Sequence, residues 1–250
     1  MKVFLSGLEA SGEFHDIDKI IPKYKYMLCS FYYLKQDIFE RIRDKSDLML
    51  IDSGAHSFQK GKKVDWVEYT KKYAEFIRQN DCDKIVGYFE MDVDNIISYE
   101  KVLELRKILE SVSDKIIPVW HKNRGIKEFK NMCRQYSGKV VAITGFKNED
   151  IQDHQYMMFL KYARQQGCKV HCLGMTRKKI LDAVPFDFVD SSSWKQQSIY
   201  GRVGNKKVSR EFSKTSRHIV MAESLKLGLE MAEKYEKKWF FESRKEGAKA

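Results

Sequence analysis

Leu48-Met49-Leu50-Ile51 runs without a break into Asp52-Ser53-Gly54, and the same pattern of a short apolar run stopped by an acid occurs twice more. Ile85-Val86-Gly87-Tyr88-Phe89 ends at Glu90-Met91-Asp92, and Phe186-Asp187-Phe188-Val189 ends at Asp190-Ser191-Ser192-Ser193. Continuous apolar runs of this length mark strands buried on both faces, as in a parallel sheet. In a barrel of such strands, the reacting groups gather at the carboxyl ends. Acids placed there from distant parts of one chain predict a catalytic rim.

Working outward from these runs, eight strands are expected at residues 2–5, 26–29, 48–51, 84–89, 116–120, 140–143, 170–173 and 186–189. Segments of helical periodicity lie between them, at 64–79, 98–109 and 152–164 among others. Alternating strands and helices imply a parallel sheet, and eight such units close a barrel. The predicted fold is α/β, a single (β/α)8 TIM barrel over about residues 1–200. A doubly wound open sheet also alternates, but no GxGxxG follows the first strand. Gly138 and Gly167 punctuate helix ends, and Pro185 stands just ahead of the last strand. Residues 194–210 read as a long loop, 221–239 as a closing amphipathic helix and 242–250 as a frayed tail.

With 250 residues, 43% hydrophobic and 32% charged, the chain has the size and composition of one globular domain. No apolar run reaches the roughly 18 residues needed to cross a bilayer, and the opening residues are too short for a signal core, so a cytoplasmic protein without membrane partners is expected. The five cysteines, Cys29, Cys82, Cys133, Cys168 and Cys172, show no CxxC spacing. His171 and Cys172 would face opposite sides of a strand, so zinc is not expected there and reduced thiols are. Net charge is +11, and residues 202–250 carry 13 Lys/Arg against 7 Asp/Glu. Such a surface suits a polyanion through counterion release, or is a solvated basic helix.

Asp52 and Asp190 are the leading candidate pair. Two carboxylates facing one bond perform glycosyl transfer with retention, one attacking the anomeric carbon and the other handling the leaving group's proton. The competing reading makes each an N-cap. Glu90, Asp92 and Asp94 share a face at strand spacing, and three such acids need a metal, a proton or a donor between them. One of them receiving the N–H edge of a base is the more economical role, and Asp94 reads as a cap. His121 and His56 follow strand ends, where a titratable ring is useful. His171 lies within a strand and reads as a barrel-interior residue. Thr144-Gly145-Phe146 offers a backbone that a flat ligand can approach.

In order along the chain, Leu50-Ile51-Asp52-Ser53-Gly54-Ala55, Met91-Asp92, Ile143-Thr144-Gly145-Phe146, His171-Cys172-Leu173-Gly174-Met175 and Phe188-Val189-Asp190-Ser191 resemble the motifs of tRNA-guanine transglycosylases. They are more similar still to the small phage-type relatives that insert 7-deazaguanines into DNA. The resemblance spans about residues 47–204 and implies a TIM barrel that exchanges guanine in a polynucleotide for a free 7-deazaguanine base, with no cofactor and no metal. It makes Asp190 the nucleophile and Asp52 the general acid/base. Asp92 becomes the acid that reads the guanine edge, and Ser53, His56, His121, Thr144, Gly145 and Met175 the remaining base contacts. Arg202, with Lys206, Lys207 and Arg210, becomes the nucleic-acid grip.

Two departures matter. His56 stands where the family has a base-stacking aromatic, and the CxCxxC…H zinc subdomain of the tRNA enzymes has no counterpart in the sequence. The second shifts the expected partner from tRNA to DNA, and leaves extra grip to the basic carboxyl-terminal segment, a second copy or an accessory subunit. A catalytically silent nucleic-acid-binding subunit, a barrel enzyme for a small phosphorylated substrate and a glycoside hydrolase are the rival readings.

Overall fold

A computed structural model describes residues 1–58, 64–145 and 151–247, with the side chains of His56 and of residues 243–247 outside that description. The chain begins β1 (Lys2–Ser6), α1 (Phe14–Ile20), β2 (Tyr26–Ser30), α2 (Gln36–Lys45), β3 (Leu48–Asp52), α3 (Trp66–Asn80), β4 (Ile85–Phe89) and α4 (Tyr99–Glu110). It continues through β5 (Ile116–Ile117), β6 (Val119–Trp120), α5 (Gly125–Gln135), β7 (Val140–Thr144), α6 (Tyr156–Gln165), β8 (Lys169–Leu173), α7 (Lys178–Ala183) and β9 (Phe188–Ser191). The closing elements are α8 (Ser193–Ile199), β10 (Arg202–Val203), β11 (Lys206–Lys207), α9 (Arg210–Thr215) and α10 (Arg217–Gly247).

Nine strand segments form one parallel sheet in the order β5-β4-β3-β2-β1-β9-β8-β7-β6. Its first and last members, β5 and β6, are separated only by Pro118, so the sheet is a nearly closed barrel. The nine segments replace the expected eight because Pro118 has no N–H and breaks the run 116–120 in two. The split has a use: Ile116 and Ile117 pair with β4, Val119 and Trp120 pair with β7, and the Pro118 carbonyl accepts from Ala142 N at 2.9 Å.

Side chains alternate across each strand, and the core follows that alternation. Phe4, Tyr26, Leu28, Leu50, Phe89, Ile117, Val119, Ala142 and Phe188 form a cluster made of strand residues alone, which is the barrel interior. His171 joins it edge-on to Phe89, with ring centroids 5.0 Å apart. The intervening residues, such as Leu5, Met27, Ile51, Val141, Val170 and Cys172, pack outward with the helices. His171 and Cys172 thus do face opposite sides.

Two expectations for the carboxyl-terminal fifth are corrected. Residues 194–210 are not a long loop but most of α8 and the β10–β11 hairpin, because Gly201 and Gly204, at φ +65° and +58°, make tight turns that side-chain-bearing residues resist. The expected frayed tail from residue 242 is helical as far as Gly247, and residues 248–250 lie outside the described residues. α10 is held along its length: Arg217 pairs with Glu13 at 3.1 Å, Lys25 with Glu236 at 2.7 Å, and Trp239 Nε1 donates to Leu181 O at 3.1 Å. It therefore starts beside the loop after β1, and by Glu236 it lies beside the start of β2. Among the described residues no helix is long and apolar enough to cross a membrane.

Barrel closure leaves little room at Gly87. A Cβ there would stand 2.6 Å from Ile117 Cδ1 and 2.8 Å from the Lys115 carbonyl oxygen. Gly87→Ala is expected to lower stability by about 1–3 kcal/mol, as overpacking does; urea unfolding checks it, and an unchanged midpoint would refute it.

Candidate active site

All strands of the barrel run the same way, so their carboxyl ends share one rim. Phase then decides which rim residues face the mouth. Ser30 follows Leu28 by two residues, Asp52 follows Leu50, Thr144 follows Ala142 and Asp190 follows Phe188, so all four continue the inward-facing series. The two leading acids of the sequence thus meet at one mouth, on β3 and β9.

Neither is a helix N-cap. The caps of α3 and α8 are Asp65 and Ser192. Asp52 Oδ2 accepts from the Gly54 N–H at 2.9 Å, which folds the Asp-Ser-Gly turn against its own carboxylate. Asp190 Oδ1 accepts from His171 Nε2 and from the Gly174 N–H, both at 2.9 Å. With both bonds on one oxygen, Oδ2 has no protein donor among the described residues. An acceptor carboxylate fixes the hydrogen on His171 Nε2, so the buried Nδ1 is left with no partner among the described residues.

The acids after β4 meet the requirement for a donor with two arginines. Glu90 is wholly buried. Arg106 Nε donates to its Oε2 at 2.5 Å, while Arg124 Nη1 (3.0 Å) and the Val119 N–H (2.8 Å) donate to Oε1. Arg124 also donates from Nε to Asp94 at 2.8 Å and from Nη2 to Asp92 at 3.2 Å, and to the Val119 carbonyl. Asp94 is therefore an ion-pair partner and not the expected cap; Ser98 caps α4. His121 Nε2 reaches both oxygens of Asp92 at 2.8 Å. Burial opposes a charged ring there, but the Asp92 hydrogen bond and charge outweigh it, and the His121 pKa is pushed up to about 9. Asp92, Asp94 and His121 are close enough to hold a cation. The guanidinium of Arg124 already supplies positive charge to Asp92 and Asp94.

Two of the expected base contacts are placed otherwise. Met175 is fully buried with Ile143, Cys172 and Tyr156. Gly145 gives its N–H to the Leu173 carbonyl at 2.7 Å, and a Cβ there would stand 2.9 Å from Cys172 Sγ. Its glycine is required by this packing. Thr144 ends β7 on the inner face, and Ser53 is buried with its Oγ unpartnered among the described residues. His56 lies in the 3-10 turn Ala55–Phe58, with its side chain outside the described residues, as is Phe146. Trp120 and Trp194 are both buried and occupied, donating to Gly125 O and Ser6 O. The five cysteines are free thiols.

Arg202, Lys206, Lys207 and Arg210 are exposed, and none forms an ion pair among the described residues. The hairpin lies in the stretch between the rim end of β9 and the start of α10, which Arg217–Glu13 ties beside the same rim.

Sequence reasoning missed Arg106, Arg124, the partner role of His171, and Glu9. Glu9 lies three residues beyond β1 and is only 5% exposed. It accepts the Ser30 N–H on Oε1 at 3.0 Å, and its Oε2 has no partner among the described residues. An acid just past a strand end was the available signal. In comparisons with known proteins, no family model matches the chain, and no curated protein matches it.

The His121–Asp92 pair carries a pH signature. A histidine whose folded pKa is raised to about 9, against an ordinary 6.5, contributes stability that is complete below pH 6.5 and is lost as pH rises through 9. His121→Gln is expected to flatten the stability curve over that window in urea titrations. An unchanged slope would show that the pair is not charged.

Proposed function

We propose that this protein is a base-exchange transglycosylase, built on an eightfold (β/α)8 barrel in which residues 116–120 count as one strand. It replaces guanine in a nucleic acid with a free 7-deazaguanine base. The observation that carries this reading is the pair Asp52 and Asp190, both inward-facing at strand ends of one mouth, with Asp190 oriented by two donors on a single oxygen.

The chemistry follows from that arrangement. The Asp190 carboxylate attacks C1′ of the target nucleotide as the bond to the guanine ring nitrogen breaks, giving a covalent glycosyl ester. Asp52 supplies the proton that the departing base takes, then accepts the ring N–H proton of the incoming base. The freed ring nitrogen attacks C1′, the Asp190 ester bond breaks, and two inversions give net retention. His171 and the Gly174 N–H hold Asp190 in line and stabilise its charge when it departs. Asp92, fixed by His121 and Arg124, keeps lone pairs for the N–H edge of the base.

The polymer is held from the hairpin side. Arg202 stands directly opposite Lys207 across β10–β11. Like charges so placed repel, and phosphate between them relieves the repulsion. Tyr200, 78% exposed, precedes this basic stretch, and an aromatic beside cations suits stacking of an unpaired base. The target must leave the stack to reach a strand-end mouth. The sequence has no counterpart of the zinc subdomain of the tRNA enzymes, which favours DNA.

Incubation of guanine-containing DNA or tRNA with labelled 7-deazaguanine tests the reading. Label is expected to enter DNA, and Asp190→Ala is expected to abolish incorporation while leaving nucleic-acid affinity within about threefold. Folded wild-type protein that binds nucleic acid but exchanges no base in either polymer would overturn it in favour of a silent binding subunit. Replacing Arg202, Lys206, Lys207 and Arg210 by Ala is expected to weaken binding and to reduce the slope of log K against log salt by about 1 for each phosphate no longer neutralised. An unchanged slope would remove the hairpin from the interface.

A further inference from the structure

Phe31-Tyr32-Tyr33 follows β2 directly, three aromatics in a row at the rim. Only the first is packed into the fold. Phe31 meets Tyr69, Tyr73 and Phe76 with ring centroids 5.5, 5.0 and 5.3 Å away. Tyr32 and Tyr33 are left 37% and 47% exposed. Their rings stand at 89° to each other with centroids 4.8 Å apart, and Tyr32 also meets Phe58 edge-on at 4.6 Å. The turn that presents them is held by backbone bonds, from Tyr33 N–H to the Ser30 carbonyl at 3.1 Å and from Leu34 N–H to the Phe31 carbonyl at 3.2 Å.

This aromatic pair is built against the Asp52 turn. Phe31 N–H donates to the Asp52 backbone carbonyl at 2.8 Å. A Cβ on Gly54 would stand 2.4 Å from Tyr32 Cβ and 2.9 Å from Tyr32 N. Tyr32 therefore lies directly against the glycine whose N–H holds the Asp52 carboxylate. In the sheet, β2 stands between β3, which carries Asp52, and β1, beyond which lies β9 with Asp190 and then the basic hairpin. The pair thus occupies the arc of the rim between the two acids, past the strand ends and so beside the mouth rather than inside it. Lys35, two residues beyond Tyr33, is exposed on the same turn.

We propose that Tyr32 and Tyr33 form a stacking platform for the unpaired base next to the target, which makes the substrate a single-stranded stretch of nucleic acid. This rests on the transglycosylase reading, which defines the target. When the target base is drawn into the mouth, one face of its neighbour is bared, and an aromatic ring beside the mouth covers it. In a perpendicular pair one ring sets its edge on the other's face. A flat base laid along the first ring meets the second edge-on, and stacked and edge-to-face contacts are the two favoured aromatic arrangements. Two adjacent exposed rings contribute little to the fold, whereas a base laid on them removes their apolar surface from water. Such stacking accepts any base, since every base has a π-face, so the platform supplies affinity and not sequence choice. In a duplex the neighbour would first have to leave its own partners, a penalty that a single strand does not carry.

The test measures binding by fluorescence anisotropy in the Asp190→Ala background, so that no covalent species forms. The probe is a single-stranded DNA oligonucleotide with one central guanine, either complete or abasic on one or the other side of that guanine. Tyr32→Ala combined with Tyr33→Ala is expected to weaken binding of the complete strand about tenfold or more with the salt slope unchanged, and Phe at both positions to restore it. Removing the flanking base on one side is expected to weaken binding by the same factor when both tyrosines are present and to have no further effect in the double Ala variant, since ring and base act as one contact. Tyr33→Ala alone, away from the Phe58 contact, carries the comparison if the double variant fails to fold. Unchanged affinity in the Ala variants, or an abasic loss undiminished in them, would overturn the platform. Equal weakening toward a duplex of the same sequence would overturn the single-strand assignment. A dimer in sedimentation that the Ala variants convert to monomer would make the pair an interface between copies and overturn the proposal as well. Absence of base exchange in wild type would overturn the transglycosylase reading instead, with the abasic comparison still deciding whether the pair stacks a base.

Discussion

Side chains on a strand must alternate between two faces, and in a nearly closed parallel barrel that alternation has only one outcome for each position. Phe4, Leu28, Leu50, Ala142 and Phe188 fill the interior. The residues two steps further toward the carboxyl ends must then look into the mouth. Asp52 and Asp190 owe their meeting to this constraint, since they are far apart in sequence and stand on strands that are not neighbours in the sheet. Pro118 matters for the same reason. By dividing residues 116–120 it lets one stretch of chain pair with β4 on one side and β7 on the other, which brings the two ends of the sheet together so that its inner face becomes an enclosed interior.

The rim has two halves of opposite electrostatic character. On the β4–β6 side, Glu90, Asp92 and Asp94 are answered by Arg106, Arg124 and His121, so a set of acids that would repel one another becomes a fixed network. Removing one member of such a buried set strands the charge of another, which makes that half a rigid frame. On the β1–β3 side, Glu9, Ser30 and Ser53 are left with buried oxygens unsatisfied among the described residues. Buried polar atoms without partners are uncommon, and here they stand at or just past the ends of neighbouring strands β1, β2 and β3. On the proposed reading, the first half holds the edge against which a base is read.

Much of this is legible in the sequence because strand runs and their terminating acids are local signals. All eight expected strands are present, one of them divided, and the acids that stop them lie on one rim. What escapes is whatever depends on partners far away in the chain. Arg124 reads as an ordinary cation at a helix start, yet its partners lie about thirty residues earlier. His171 reads as an interior residue, which it is, but its hydrogen bond to Asp190 crosses two neighbouring strands and follows only from their register. Glu9 is preceded by Gly7 and Leu8 rather than by an unbroken apolar run, so its place just past a strand end is a weaker signal than those at Asp52, Glu90 and Asp190. The segment after Trp194 reads as a loop because two-residue strands leave no periodicity to detect.

The most direct measurement is the mass of the intact protein after brief incubation with guanine-containing DNA and no incoming base, followed by mapping of any modified peptide. Nucleophilic attack at C1′ predicts a covalent protein–DNA species with the attachment on Asp190, reversed when 7-deazaguanine is added. Base exchange without such a species, or an attachment at another residue, would contradict the account at its centre.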